Sequence, residues 1–106
     1  MIVVSSTITA DNTDILSGTD LANIPGDGQL DIFIASTQND TVYSITGPGN
    51  EPIARLQKAQ LRTNGMPIMS DDLPLTLLVS QGGHYVINVD IVTAATVNII
   101  CIFREF

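Results

Sequence analysis

Hydrophobic and polar residues alternate with a period of two along much of this chain, most plainly at its carboxyl end. Between His84 and Val92, Tyr85, Ile87, Val89 and Ile91 share one face while His84, Asn88 and Asp90 take the other, as in a strand with one buried side. Between Ala95 and Arg104, Val97, Ile99, Cys101 and Phe103 form one face, and Ile100 and Ile102 make the opposite face apolar as well. A strand apolar on both sides needs cover on both sides, from its own domain or from a neighbouring subunit. The link Thr93-Ala94 is short, so the pattern predicts a terminal hairpin with the rest of the chain as its cover.

Upstream, residues 2 to 9 predict a first strand. Asp11-Asn12-Thr13-Asp14 is a turn cluster, because Asp and Asn side chains bond their own backbone. Ile15 to Gly18 leads into a short element over Thr19–Ile24, and Pro25-Gly26-Asp27-Gly28 is a strong turn signal. Leu30, Ile32 and Ile34 alternate with Asp31, Phe33 and Ala35. After a turn at Gln38-Asn39-Asp40, Thr41–Thr46 places Tyr43 and Ile45 on one face, so residues 30 to 46 predict a hairpin. Gly47 to Pro52 is a loop that crosses between sheets. Ile53 to Arg62 fits neither period, with a short strand near Gln57–Leu61 preferred over a helical turn. Thr63 to Pro67 is a turn in which Asn64-Gly65 suits positive φ. A loop at Ser70–Pro74, a strand at Leu75–Ser80 and a tight turn at Gln81-Gly82-Gly83 complete the chain. No helical period occurs. About seven or eight short strands at this spacing predict an all-β fold, a single antiparallel β-sandwich domain over residues 1–106 with jelly-roll or immunoglobulin-like connectivity.

Composition sharpens this picture. The chain is 44% hydrophobic and only 14% charged, against roughly 25% charged in ordinary domains. So little charge with so much aliphatic, β-branched surface implies that part of the exterior is covered in the working state, as in homo-oligomers. The net charge of −7 is unevenly spread: seven acids and no Lys or Arg lie in residues 1–51, and all four bases (Arg55, Lys58, Arg62, Arg104) follow. That balance argues against nucleic-acid partners and anionic membrane surfaces, both of which need a basic footprint. Arg55, Lys58 and Arg62 read either as a solvated run or as a patch that meets acids on a partner or on a second copy. The amino-terminal residues lack a basic region and a long apolar run, and no stretch approaches a membrane span, so synthesis in the cytoplasm is expected.

Catalytic constellations are thin. His84 is the only histidine and Cys101 the only cysteine. A Ser-His-Asp or Cys-His site would have to use His84; Asp90 lies on its face, and Cys101 falls on the buried side of its strand, where a free thiol behaves as a small hydrophobe. One His and one Cys are too few for zinc. Asp11 to Asp14 lacks the glycine and closing Glu of a calcium loop, and Asp71-Asp72 has no third group beside it. Gly26-Asp27-Gly28 and Gly47-Pro48-Gly49 lack the helix and lysine of a phosphate cradle. With no Trp and two Tyr, aromatic platforms for sugars are scarce. The sequence favours a non-enzymatic structural or interaction protein, with no catalytic, metal or cofactor residue assigned.

Three stretches, Gly47-Pro-Gly-Asn-Glu-Pro52, Leu61-Arg-Thr-Asn-Gly-Met-Pro67 running into Ser70-Asp-Asp72, and Gly82-Gly-His-Tyr to Val97, together resemble small virion structural proteins of tailed bacteriophages that decorate or cement the capsid. The resemblance spans the last two thirds of the chain. It implies an all-β protein on the capsid surface of the virion, made in the host cytoplasm, self-associated with trimers favoured, and docked on the major capsid protein. On that expectation Arg55, Lys58 and Arg62 form polar rim contacts, while Ile2 to Val4 and the closing residues Ile100, Ile102 and Phe106 pack between subunits. A carbohydrate- or receptor-binding module of a tail fibre or adhesin is the alternative.

Overall fold

The alternating pattern is realised, in the computed structural model of residues Met1 to Phe106, as eight strands in two sheets with no helix. They are β1 (Ile2–Ile8), β2 (Gly28–Ser36), β3 (Val42–Thr46), β4 (Pro52–Lys58), β5 (Gln60–Leu61), β6 (Leu75–Val79), β7 (Val86–Asp90) and β8 (Val97–Glu105). In the five-stranded sheet β8 lies between β1 and β2, and the far edge of β2 is shared by β6, along Gly28–Ile32, and β5, along Ala35–Ser36. The three-stranded sheet runs β4-β3-β7. Every pairing is antiparallel except the short parallel contact of β2 with β5, a departure from the wholly antiparallel expectation.

Two expected hairpins are absent. β7 pairs with β3 in one sheet while β8 pairs with β1 and β2 in the other, so the terminal strands face one another across the core. β2 and β3 are divided between the sheets in the same way. The physical reason is that alternation reports which face of a strand is buried and carries no information on which strand lies beside it. Leu30, Ile32 and Ile34 of β2, with Val97, Ile99, Cys101 and Phe103 of β8, share one apolar cluster with Ile45 of β3 and with Ile87 and Val89 of β7.

Thr19–Ile24 forms turns in place of the expected strand. Residues 12 to 24 instead run along the outer edge of β7. Asn12 exchanges backbone hydrogen bonds with Val89 (3.1 and 2.8 Å), the Ile15 N–H donates to Ile87 O (3.1 Å) and the Ile24 N–H to Gly83 O (2.9 Å). This strap satisfies the exposed edge of β7 and delivers Ile15, Leu16, Leu21 and Ile24 to the core.

β4 begins earlier than the pattern predicts because a bulge hides its period. Tyr43 pairs with Gln57 but Ile45 pairs with Ala54, and Leu56, in the excess, takes φ 46°. The outward face of β8 is largely closed by the chain itself: Ile102 is 6% exposed and Asn98 buried. Its far end is polar, where Arg104 Nη1 donates to Asp31 Oδ2 (2.6 Å).

Candidate functional site

The segment from Leu61 to Leu73 carries the surface least explained by the fold. It leaves β5 through the Arg62 N–H, which donates to Ser36 O (2.9 Å). Gly65 turns it at φ 71°, so close to the sheet that a Cβ there would lie 2.7 Å from Thr96 O; only glycine fits. Asn98 Nδ2 then donates to Gly65 O (2.7 Å). Farther on, the Asp72 carboxylate accepts from the Arg62 guanidinium through Nε (3.4 Å) and Nη2, and from the Ile68 N–H (2.9 Å). The Asp72 side chain is 6% exposed. The segment is therefore pinned at both ends although it has no regular structure.

What it presents is apolar. Leu61 is 51% exposed, Met66 45%, Ile68 42%, Met69 45% and Leu73 95%; these are five of the twelve large hydrophobic side chains that the chain leaves in solvent. Beside them Leu61, Arg62, Thr63, Asn64 and Ile68 line an open cleft of about 450 Å³. Full burial of one such side chain is worth about 1.5–3 kcal/mol, so a partner that covered several of them would offset a substantial part of the cost of association. Methionines suit such a surface because their flexible thioethers adapt to irregular partners.

The residues expected at a partner interface are divided by the fold. Arg55 and Lys58 are exposed on β4, flank the bulged Leu56 (71% exposed) and make no ion pair. Arg62 is committed to Asp72 and works as a structural clamp. Ile100 is half-buried and Ile102 is enclosed, so Ile102 offers a partner almost no area. Phe106 is 80% exposed, with its N–H donating to Asp27 O (3.0 Å). Ile2 and Val4 lean on the core while Val3 points out, 51% exposed.

His84 pairs with Asp14, which sequence spacing did not indicate, in place of Asp90: Nε2 lies 2.7 Å from Asp14 Oδ2, and Nδ1 meets Ala22 O. With an acceptor on each ring nitrogen the imidazole is held as a double donor. The hydrogen bond to Asp14, then that to Ala22 O, raise its pKa above the ordinary 6.5, against a smaller opposing effect of burial. His84 thus fastens the 12–24 strap to the start of β7. Cys101 is fully buried, and burial pushes its thiol up to about 12, which leaves no thiolate at neutral pH. Three of the seven acids in residues 1–51 serve the backbone: Asp11 Oδ1 accepts the Ile91 N–H (2.7 Å), Asp27 Oδ1 the Gln81 N–H (2.9 Å) and Glu51 Oε2 the Gly49 N–H (2.8 Å).

The side chains missing from the expected interface are thus Leu61, Met66, Ile68, Met69 and Leu73. One signal for them was present, namely several large apolar residues in a stretch with turn residues and no period, which a strand or helix cannot bury. Comparison with protein-family models, with curated proteins and with solved structures gave no match to this chain.

Proposed function

We propose that this chain is a non-enzymatic virion structural protein, a capsid decoration or cement protein that docks on the major capsid protein as a homo-oligomer. The observation that carries the reading is the pinned apolar segment, with five large side chains held out in solvent between Leu61 and Leu73. Such a surface suits a partner and not a small polar substrate. It coincides with one of the three stretches through which the sequence resembles phage decoration proteins. A β-sandwich of jelly-roll or immunoglobulin-like type fits the role, since it offers a stiff body whose loops and edges reach neighbouring capsomers. In a repeating lattice, many modest contacts gain by avidity. In this reading Arg55 and Lys58 form the polar rim, the Leu61–Leu73 segment and Leu56 form the apolar centre, and Phe106 with the half-buried Ile100 remains available to a second copy.

The test is mass spectrometry of purified particles from the source, paired with rebinding of the purified protein to capsids that lack it. The chain should be found in a fixed ratio to the major capsid protein, and a Met69→Asp/Leu73→Asp variant should rebind at least tenfold more weakly. Particles without the chain, or rebinding unaffected by the two charges, overturn the reading.

A further inference from the structure

Of the four outer sheet edges, two carry a device that hinders pairing with another chain and a third is short. The outer edge of β7 is covered by the 12–24 strap. β4 has Pro52, Arg55, Lys58 and the Leu56 bulge, and β6 is short and entered through Pro74. Proline, charge, bulges and cover are the ordinary means of blunting an edge. β1 has none of them. Its seven residues, Ile-Val-Val-Ser-Ser-Thr-Ile, include no proline and no charge, and its only strand partner is β8. No backbone hydrogen bond reaches its outer edge from elsewhere in the chain.

We propose that β1 is a self-association edge, pairing antiparallel with β1 of a second copy across a two-fold axis at Ser5. A two-fold contact requires a strand complementary to its own reverse, and β1 meets that condition. Centred on Ser5, the pairing sets Ile2 opposite Ile8 and Val4 opposite Ser6 on the core side, and Val3 opposite Thr7 on the outer side. Apolar residues meet apolar or small ones, and no charge opposes another. The outward N–H and C=O groups gain partners, and the two five-stranded sheets become one. This two-fold contact stands in place of the trimer that the family resemblance implies. It goes beyond the capsid reading and holds without it, because it rests on the edge alone.

Cysteine cross-linking reads the register directly. Residues directly opposed across an antiparallel pair have Cα atoms ~4.5–5.5 Å apart, within disulfide reach of ~4.4–6.8 Å. Ser5 and Val3 are both exposed, and the native Cys101 is buried and does not compete. Under mild oxidation Ser5→Cys should form a covalent dimer of twice the 11.3 kDa chain mass. Val3→Cys should not, since the two Val3 positions lie about 14 Å apart along the paired strands. In light scattering the unmodified protein should be a dimer, and Ser5→Lys, which opposes two ammonium groups, should weaken it about tenfold or more while circular dichroism stays unchanged. A monomer or trimer in light scattering, cross-linking of Val3→Cys equal to that of Ser5→Cys, or a dimer indifferent to Ser5→Lys overturns the proposal. Capsid rebinding is scored on particles, so its failure is separable from failure of this contact.

Discussion

Arg62 and Asp72, ten residues apart, close the base of the exposed segment between them, and the carboxylate that receives the guanidinium also receives the Ile68 N–H. An irregular stretch with five large apolar side chains in water would otherwise collapse onto itself or onto another molecule. The clamp holds its two ends together over turns at residues 63–65 and 68–72. Asp72→Ala removes the acceptor of two donors and leaves a half-buried guanidinium unpaired, at a cost of about 1–3 kcal/mol. Arg62 retains access to water, which places the expected loss toward the lower end. A lower urea midpoint together with new protease cleavage between Leu61 and Leu73 is the expected outcome; an intact segment in Asp72→Ala would show that Asn98 and Ser36 hold it alone.

Met69 and Leu73 are 45% and 95% exposed, so polar replacements there remove little from the core. Met69→Ser/Leu73→Ser should change stability by no more than about 0.5 kcal/mol per site, as is usual for surface positions, and should raise solubility. A large loss of stability in chemical denaturation would mean that these side chains pack within the fold and are not held for a partner.

Much of this architecture was legible in the alternation of particular residues. Leu30 to Ala35, Tyr43 and Ile45, Tyr85 to Asp90 and Val97 to Phe103 lie in or beside strands with the expected faces inward. Neighbours were not legible, because Ile87 and Ile99 have the same pattern whether their strands pair or face each other across a core. β4 was obscured by two irregular steps in its pairing with β3, one at Leu56 and one between Ala54 and Pro52, each of which breaks the alternation of faces. The strap failed to register because Leu16, Leu21 and Ile24 are buried by turns, which have no period. Of the candidate interface, Arg55, Lys58 and Phe106 are exposed. The clamp escaped because Asp71-Asp72 and Asn64-Gly65 signal a loop without indicating which acid meets Arg62.

His84 makes the stability of the strap depend on pH. Its folded-state pKa is raised above 6.5, chiefly by the bond to Asp14. A raised pKa means that the contribution is complete below about 6.5, the unfolded value, and is lost as pH rises through the higher folded value. The protein should therefore have a lower urea midpoint at pH 9 than at pH 6, and His84→Gln should flatten that difference. Hydrogen exchange at Ile15 and Ile24, whose N–H groups donate to Ile87 O and Gly83 O, should accelerate with pH beyond the intrinsic rate in the native protein only. Equal slopes in the two proteins would remove His84 from the linkage.

Asp31 acts in the opposite direction. Burial alone would raise its pKa, but hydrogen bonds from Thr76, Gln29 and Arg104, with the Arg104 charge, hold it below the usual 3.8. Its contribution is present above about 3.8 and is lost as pH falls through the lower folded value. Asp31→Asn should destabilise the protein at pH 6, where the carboxylate is charged, and the difference from the native protein should shrink toward pH 2. A constant difference across that range would mean that Arg104 contributes nothing through charge.

Leu56 is a leucine with φ 46° whose side chain is 71% exposed. The left-handed region costs such a residue roughly 1–2 kcal/mol, whereas Asn visits it with less penalty. A bulge at this edge requires the backbone conformation but not the leucine, and an exposed side chain returns little burial for the strain. Leu56→Asn should therefore raise the urea midpoint, by the equivalent of about 0.5–1 kcal/mol. The same substitution should weaken rebinding to capsids, because Leu56 belongs with the Leu61–Leu73 segment to the proposed apolar centre of the contact. Greater stability with unchanged rebinding would mean that the strain at Leu56 serves only to blunt the β4 edge, leaving the Leu61–Leu73 segment as the whole of the apolar contact.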